Sequence, residues 1–134
     1  MGGRGQVMKT GGFQQYDYYT TTTISGIKVI AKNGDSHSGL PEYSNTPSTM
    51  YFRQNNKGEI DQLRIYSAQR RAKIDIDWGH SHDGIPKGTA HIQKYTIGPD
   101  GHPQRAKNAQ LLSNYYVKKY KSIILAANPN VKFK

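Results

Sequence analysis

Between positions 75 and 91 the chain carries Asp75, Asp77, His80, His82, Asp83, Lys87, Thr89 and His91, and so three of its five histidines. Imidazole is the side chain whose ordinary pKa lies nearest neutrality, so paired histidines suit proton transfer in both directions. Cleavage of RNA without a metal is one chemistry that such a set performs. One His takes the proton of the ribose 2′-hydroxyl and a second protonates the departing 5′-oxygen. A Lys or Arg with a hydroxyl then balances the charge gathering on phosphorus. His82 and His91 form the expected acid–base pair, with His80 and Asp77 beside them and Lys87, Arg71 and Thr89 on the phosphate side. That mechanism calls for no cofactor. The same residues offer an alternative, because His80-x-His82 with His91 and Asp77 supplies three nitrogens and an oxygen for a divalent cation that activates water. A purely structural account also fits, with loop histidines bonded to backbone and strand carboxylates keeping a sheet edge soluble. His37 and His102 stand in separate loops and read as solvated surface.

Positioning these groups requires particular elements. Lys73 to Trp78 alternates apolar and charged residues, which predicts a strand with Ile74, Ile76 and Trp78 inward and Asp75 and Asp77 together on the solvent side. A His/Gly/Pro loop follows, and a return strand over Thr89 to Thr96 brings His91 back toward the two carboxylates. Upstream, the β-branched run Thr20 to Ala31 predicts one strand, ended by Asn33-Gly34-Asp35. Ser36 to Pro47 reads as loop, and Thr49 to Gln54 with Glu59 to Ser67 reads as a hairpin around a Gly-bearing turn. From about Pro103 the period changes to roughly 3.6, with Leu112, Tyr116, Ile123 and Ala127 recurring, and Pro129 marks the exit. The expected fold class is therefore α+β: a small antiparallel β-sheet packed by one long C-terminal α-helix. Residues 1–23 read as a flexible Gly-rich arm, 24–128 as a single domain and 129–134 as a basic tail.

Charge points to the partner. Nineteen Lys and Arg against nine Asp and Glu leave +10, and residues 101–134 contain seven of the cations and no acid. Arg105, Lys107, Lys118, Lys119 and Lys121 lie among Tyr115, Tyr116 and Tyr120, a mixture that neutralises phosphates and stacks on unpaired bases. With Arg70 and Arg71 these form the expected nucleic-acid-binding set. The expected partner is RNA or a nucleoprotein complex, held by the helix and tail and presented to the histidines. The chain has no Cys, which excludes a disulfide framework and a thiolate zinc site. The run Ile123 to Ala127 is far below the roughly 20 apolar residues of a membrane span, and the N-terminus has no apolar signal core. A cytoplasmic protein with no membrane partner is expected.

The start Met1-Gly-Gly-Arg-Gly5, the hairpin text Lys57-Gly-Glu-Ile-Asp-Gln-Leu-Arg-Ile-Tyr66, the run Lys73-Ile-Asp-Ile-Asp-Trp-Gly-His-Ser-His-Asp-Gly-Ile-Pro86 and Gly88-Thr-Ala-His91 resemble small proteins of Firmicute phages and mobile elements. That group includes tails of phage head-morphogenesis proteins and toxin-like modules placed with barnase/EndoU/colicin/RelE-like ribonucleases. The resemblance spans roughly residues 1–5 and 48–95. It implies a phage or prophage origin, residence in the host bacterial cytoplasm and a ribonuclease role centred on His80, His82 and His91. Small basic phage proteins also include anti-CRISPR inhibitors. The alternative it implies is therefore a non-catalytic inhibitor that binds a host defence nucleoprotein or its guide RNA through a basic surface.

Overall fold

A computed structural model of the chain describes residues 18–32 and 40–134; residues 1–17 of the arm expected over 1–23, and His37, lie outside the described residues. The elements in chain order are β1 (Tyr18–Ile24), β2 (Ile27–Lys32), β3 (Met50–Gln54), β4 (Ile60–Tyr66), β5 (Ala72–Asp77), β6 (His91–Ile97), β7 (Pro103–Arg105), β8 (Gln110–Leu111) and α1 (Asn114–Ala127). The strands follow one another in a single sheet from β1 to β7, and β8 pairs with β6 beyond the end of β7. The class is α+β.

Local chemistry explains the hairpins. Ser25 and Gly26 both take positive φ, the two-residue turn whose twist matches flanking strands, so the β-branched run expected as one strand is two. Its first half, β1, contains residues 18–23 that the sequence reading placed in the arm. The β3–β4 connection closes as expected: Asn55 Oδ1 accepts the amides of Lys57 and Glu59, and the Asn55 amide donates to the Glu59 carbonyl.

Three expectations are corrected. The sheet is mixed, because β2 runs parallel to β3 with Val29 beside Phe52. A parallel link obliges the chain to travel back along the sheet before β3. The described part of that return crosses one sheet face, where the Leu40 and Pro41 carbonyls accept from Arg64 and Tyr66. Asp75 and Asp77 do share a face, but not a solvent face: both are buried, at 0% and 5% exposure. The third correction is the helix, which starts at Asn114 and not near Pro103. Residues 103–111 instead form β7 and β8, which satisfy the free edge of β6, and Pro103 opens β7 opposite Ile97. The Asn128 amide closes the last turn on the Ile124 carbonyl, just before Pro129.

Strand alternation sorts the interior into two layers. On one face Val29, Phe52, Leu63, Ile76 and Ile92 lie in register across five strands and share a buried cluster with Tyr120 and Ile124 of α1, and with Trp78 and Val131. The other face is polar at its centre, with Tyr51, Arg64, Asp75 and Gln93 in one row and Arg53, Gln62, Asp77 and His91 in the next. Asp75 holds that face together. It accepts from Arg64 Nε and Nη2 at 2.6 and 3.0 Å, from Tyr95 Oη at 2.7 Å and from Arg105 Nη1 at 3.1 Å. Burial alone would raise its pKa, but Arg64, Tyr95 and Arg105 outweigh burial and hold the carboxyl below its ordinary 3.8.

Asp75→Asn keeps the side-chain shape but leaves the Arg64 charge buried without a counter-ion. Urea unfolding near pH 7 should show a loss of about 3–5 kcal/mol. A carboxyl with a depressed native pKa contributes fully above 3.8 and loses that contribution as pH falls through the native value. The gap between parent and variant should therefore narrow in acid; a gap that is constant with pH would contradict the assignment.

Candidate metal centre

The β5–β6 pair places Asp77 opposite His91 and Asp75 opposite Gln93. The connection between these strands is fixed residue by residue. Trp78 is buried, and its Nε1 donates to the Ile60 carbonyl at 2.9 Å. Gly79 packs so closely on Asp61 that a Cβ there would stand 2.7 Å from the Asp61 Cβ, so only glycine fits. His82 and Ile85 exchange both backbone hydrogen bonds around Asp83 and Gly84, whose φ values of 52° and 80° form a second two-residue turn. Asp83 Oδ2 then accepts the Ala109 amide at 2.6 Å, tying this turn to the β7–β8 segment. The C-terminus closes the loop from the other side. Lys132 donates its amide to the Gly88 carbonyl at 2.9 Å, and its carbonyl accepts the Ala90 amide at 2.7 Å.

These constraints bring three imidazoles together. Ring centroids lie 5.1 Å apart for His80 and His91, 5.5 Å for His82 and His91, and 6.0 Å for His80 and His82. One nitrogen from each falls within 4.8 Å of the others, an arrangement that could hold a metal ion. His91 is fully buried, His82 half-buried and His80 exposed, so the cluster is open on one side. The Lys107 carbonyl can only accept, so His82 Nε2 carries the proton it donates there at 3.2 Å and Nδ1 keeps the lone pair. Neither ring nitrogen of His91 makes a well-formed hydrogen bond. Burial and then the adjacent His80 push His91 down to about 4, with His82 adding to them and the Thr89 backbone opposing; burial and His82 also lower His80. Both are neutral at physiological pH, the form that binds metals.

Beside the cluster, Asp77 Oδ2 is buried without a hydrogen bond, and Arg105 Nη1 stands 4.0 Å from it. Burial, followed by repulsion from Asp75, pushes the Asp77 carboxyl up to about 7, while Arg105 and Arg64 resist. Gln93 donates to the Ala106 carbonyl at 2.8 Å and leaves its Oε1 unpartnered. A buried carboxyl oxygen, an amide oxygen and the His91 imidazole, each without a hydrogen bond, thus lie on one sheet face.

Of the residues singled out in the sequence, His80, His82 and His91 gather here, with the His82 and His91 ring centroids 5.5 Å apart, whereas Asp77, expected as a fourth ligand, pairs opposite His91 and stays outside the group of converging ligand atoms. Arg105 joins them from β7, not from a helix start, through its bonds to Asp75. Lys107 contributes its carbonyl, with an exposed side chain. Thr89 is buried and bridges backbone-to-backbone to Lys132, while Lys87 is exposed beside Asp61 and Trp78. Arg70 and Arg71 occupy the β4–β5 turn at the far end of β5. Lys118, Lys119 and Lys121 belong to α1, against the opposite sheet face from His91. His102 is not merely solvated: its Nδ1 pairs with Tyr43 Oη at 2.8 Å and lies 3.3 Å from Glu42. The hub residues Arg64 and Tyr95 escaped the sequence reading. Arg64 precedes Asp75 by eleven positions in a strand pair the sequence does predict, which was the available signal.

No family model, curated protein or solved structure matches this chain. Among the described residues no helix is long and apolar enough to cross a membrane.

Removing residues 132–134 deletes the backbone clamp on Gly88 and Ala90 and leaves Val131 in the core. Hydrogen exchange should then accelerate at the Ala90 amide by about tenfold or more, while the Phe52 amide in the sheet centre keeps its protection. Equal acceleration at both sites would show global destabilisation in place of a local clamp.

Proposed function

We propose that His80, His82 and His91 hold a divalent transition-metal ion of the zinc class, and that the protein hydrolyses phosphodiester bonds of RNA at this centre. The observation that carries the reading is the convergence of three imidazole nitrogens within 4.8 Å from two separately anchored segments. Two further features support it. The Lys107 carbonyl orients His82 in the way that outer-shell acceptors orient metal-bound histidines. Three protein nitrogens with one open side match the ligand count of catalytic zinc sites, as distinct from closed structural ones.

When bound, such an ion lowers the pKa of water toward about 7 and polarises a phosphoryl oxygen. The chain's own groups supply the remainder. Arg105 has a partly exposed guanidinium with five donors, of which Asp75 takes one, leaving others for a phosphate oxygen. Asp77, next to Arg105 and opposite His91, is a carboxyl whose native pKa lies near the working pH, as proton exchange with a nucleophile or leaving group requires. The +10 charge favours a polyanionic substrate.

Metal-free acid–base cleavage is the second reading, supported by the 5.5 Å separation of His82 and His91. It is weakened by His91 itself, since an imidazole at about 4 is neither protonated enough to act as an acid near neutral pH nor a strong base.

Titration calorimetry with zinc should show one ion per chain, and His80→Ala, His82→Ala or His91→Ala should each weaken binding by about 100-fold or more. Cleavage of a labelled single-stranded RNA should stop in EDTA and return with zinc or manganese. Cleavage that persists in EDTA would replace the metal with the acid–base pair. Zinc binding with RNA left intact would remove the hydrolytic half of the proposal, and absence of zinc binding would remove the whole.

A further inference from the structure

Four of the described tyrosines, Tyr18, Tyr51, Tyr66 and Tyr120, are buried, whereas Tyr115 at the start of α1 is 62% exposed. Its ring meets Tyr116 edge-on at 5.0 Å, and Lys119 Nζ lies 5.5 Å from its centroid and 3.4 Å from its hydroxyl. Tyr116 in turn stacks on Tyr120 at 6.3 Å with planes 8° apart, and Lys94 Nζ sits 5.2 Å over the Tyr116 ring. Rings and ammonium groups therefore alternate along this end of the helix. Beside them runs a groove of about 810 Å³ whose lining includes Tyr115, Val117, Lys118, Lys121 and Leu125.

We infer that this outer face of α1 is a binding platform for single-stranded nucleic acid, with Tyr115 as the stacking ring and Lys118, Lys119 and Lys121 as the phosphate contacts. Three arguments select that occupant. First, the face is unopposed in sign: residues 101–134 contain no acid, so nothing on α1 neutralises its lysines. Second, an exposed ring stacks only on a base whose own face is free, which a duplex does not offer. Third, Tyr115, Lys118 and Lys121 line the same groove, and Lys119 stands against the Tyr115 ring. From 115 to 125 the helix rises about 15 Å, the length of about four stacked nucleotides and the lower end of known single-strand site sizes.

The platform lies across the sheet from the histidines and does not depend on the metal reading. A strand held on α1 has to pass round a sheet edge to reach His91, so the two surfaces engage different segments of one RNA.

The test is fluorescence anisotropy of the full chain with an unstructured twelve-nucleotide RNA in EDTA. Tyr115→Ala should weaken binding about tenfold, and Tyr115→Trp should restore it. Replacing Lys118, Lys119 and Lys121 together by Ala should flatten the dependence of log affinity on log salt by about 2, as expected for three phosphate contacts on a single strand. Lys57→Ala, which removes an exposed charge in the β3–β4 turn and outside the platform, should change affinity little. Circular dichroism establishes that each variant folds. Unchanged affinity for the Tyr115 and lysine variants would overturn the inference. So would a twelve-base-pair duplex binding as tightly as the single strand, or polyglutamate displacing the RNA at equal charge, because either marks an undiscriminating basic surface.

Discussion

A sheet can bury a polar face only if every charge on it is answered, and here the answering group is the Asp75 carboxylate. Its two oxygens take four donors from Arg64, Tyr95 and Arg105, which joins β4, β5, β6 and β7 through one residue. Arg64 spends its remaining reach on the Leu40 and Pro41 carbonyls, so the same pair anchors the described part of the return segment between β2 and β3. Remove the carboxylate and a guanidinium is left buried with no counter-ion, which costs far more than the pair itself contributes. The interaction is therefore an arrangement that forbids alternatives more than a source of net stability.

The consequence for the site is positional. Arg105 arrives beside Asp77 because Asp75 holds it there, and Asp77 is driven up by Asp75 and by burial under the same cover. The histidines above are fixed by different means: a tight turn for His82, the strand register for His91, and the C-terminal backbone clamp just before it. Two independent scaffolds converge, one ionic and one built from backbone hydrogen bonds. Such double support is what a metal or catalytic centre needs, since its groups must hold position against their own repulsion and desolvation.

Much of this was legible from local sequence. The hairpin around Asn55 and the alternation from Lys73 to Trp78 are encoded by neighbours; with the return strand the latter brings His91 back toward the two carboxylates, and the register selects Asp77. What was hidden depends on distant partners. The face that carries Asp75 and Asp77 looks solvent-exposed by alternation, yet it is interior because Leu40 and Pro41 of the β2–β3 return lie over Arg64 while Tyr95 and Arg105 close on Asp75. Arg105 reads as the start of a helix, yet its position is set by a carboxylate thirty residues earlier. The helix start was misplaced because β6 needed edge partners, a demand invisible in the sequence of 103–111. The Ser25-Gly26 turn, by contrast, was available in the text and is the ordinary sequence cue for a break between strands.

The chain thus separates its chemistry from its charge: the imidazoles and the poised carboxyl occupy one sheet face, and the lysine-rich helix occupies the other. The central claim is that the three imidazoles converge to bind an ion. X-ray absorption at the zinc edge of the full protein loaded with one equivalent of zinc tests it directly. Three imidazole nitrogens at about 2.0–2.1 Å, seen by their multiple-scattering signature in a spectrum that survives dialysis, would be the predicted result. A spectrum of hexa-aquo zinc, or a first shell made mostly of oxygen, would contradict it.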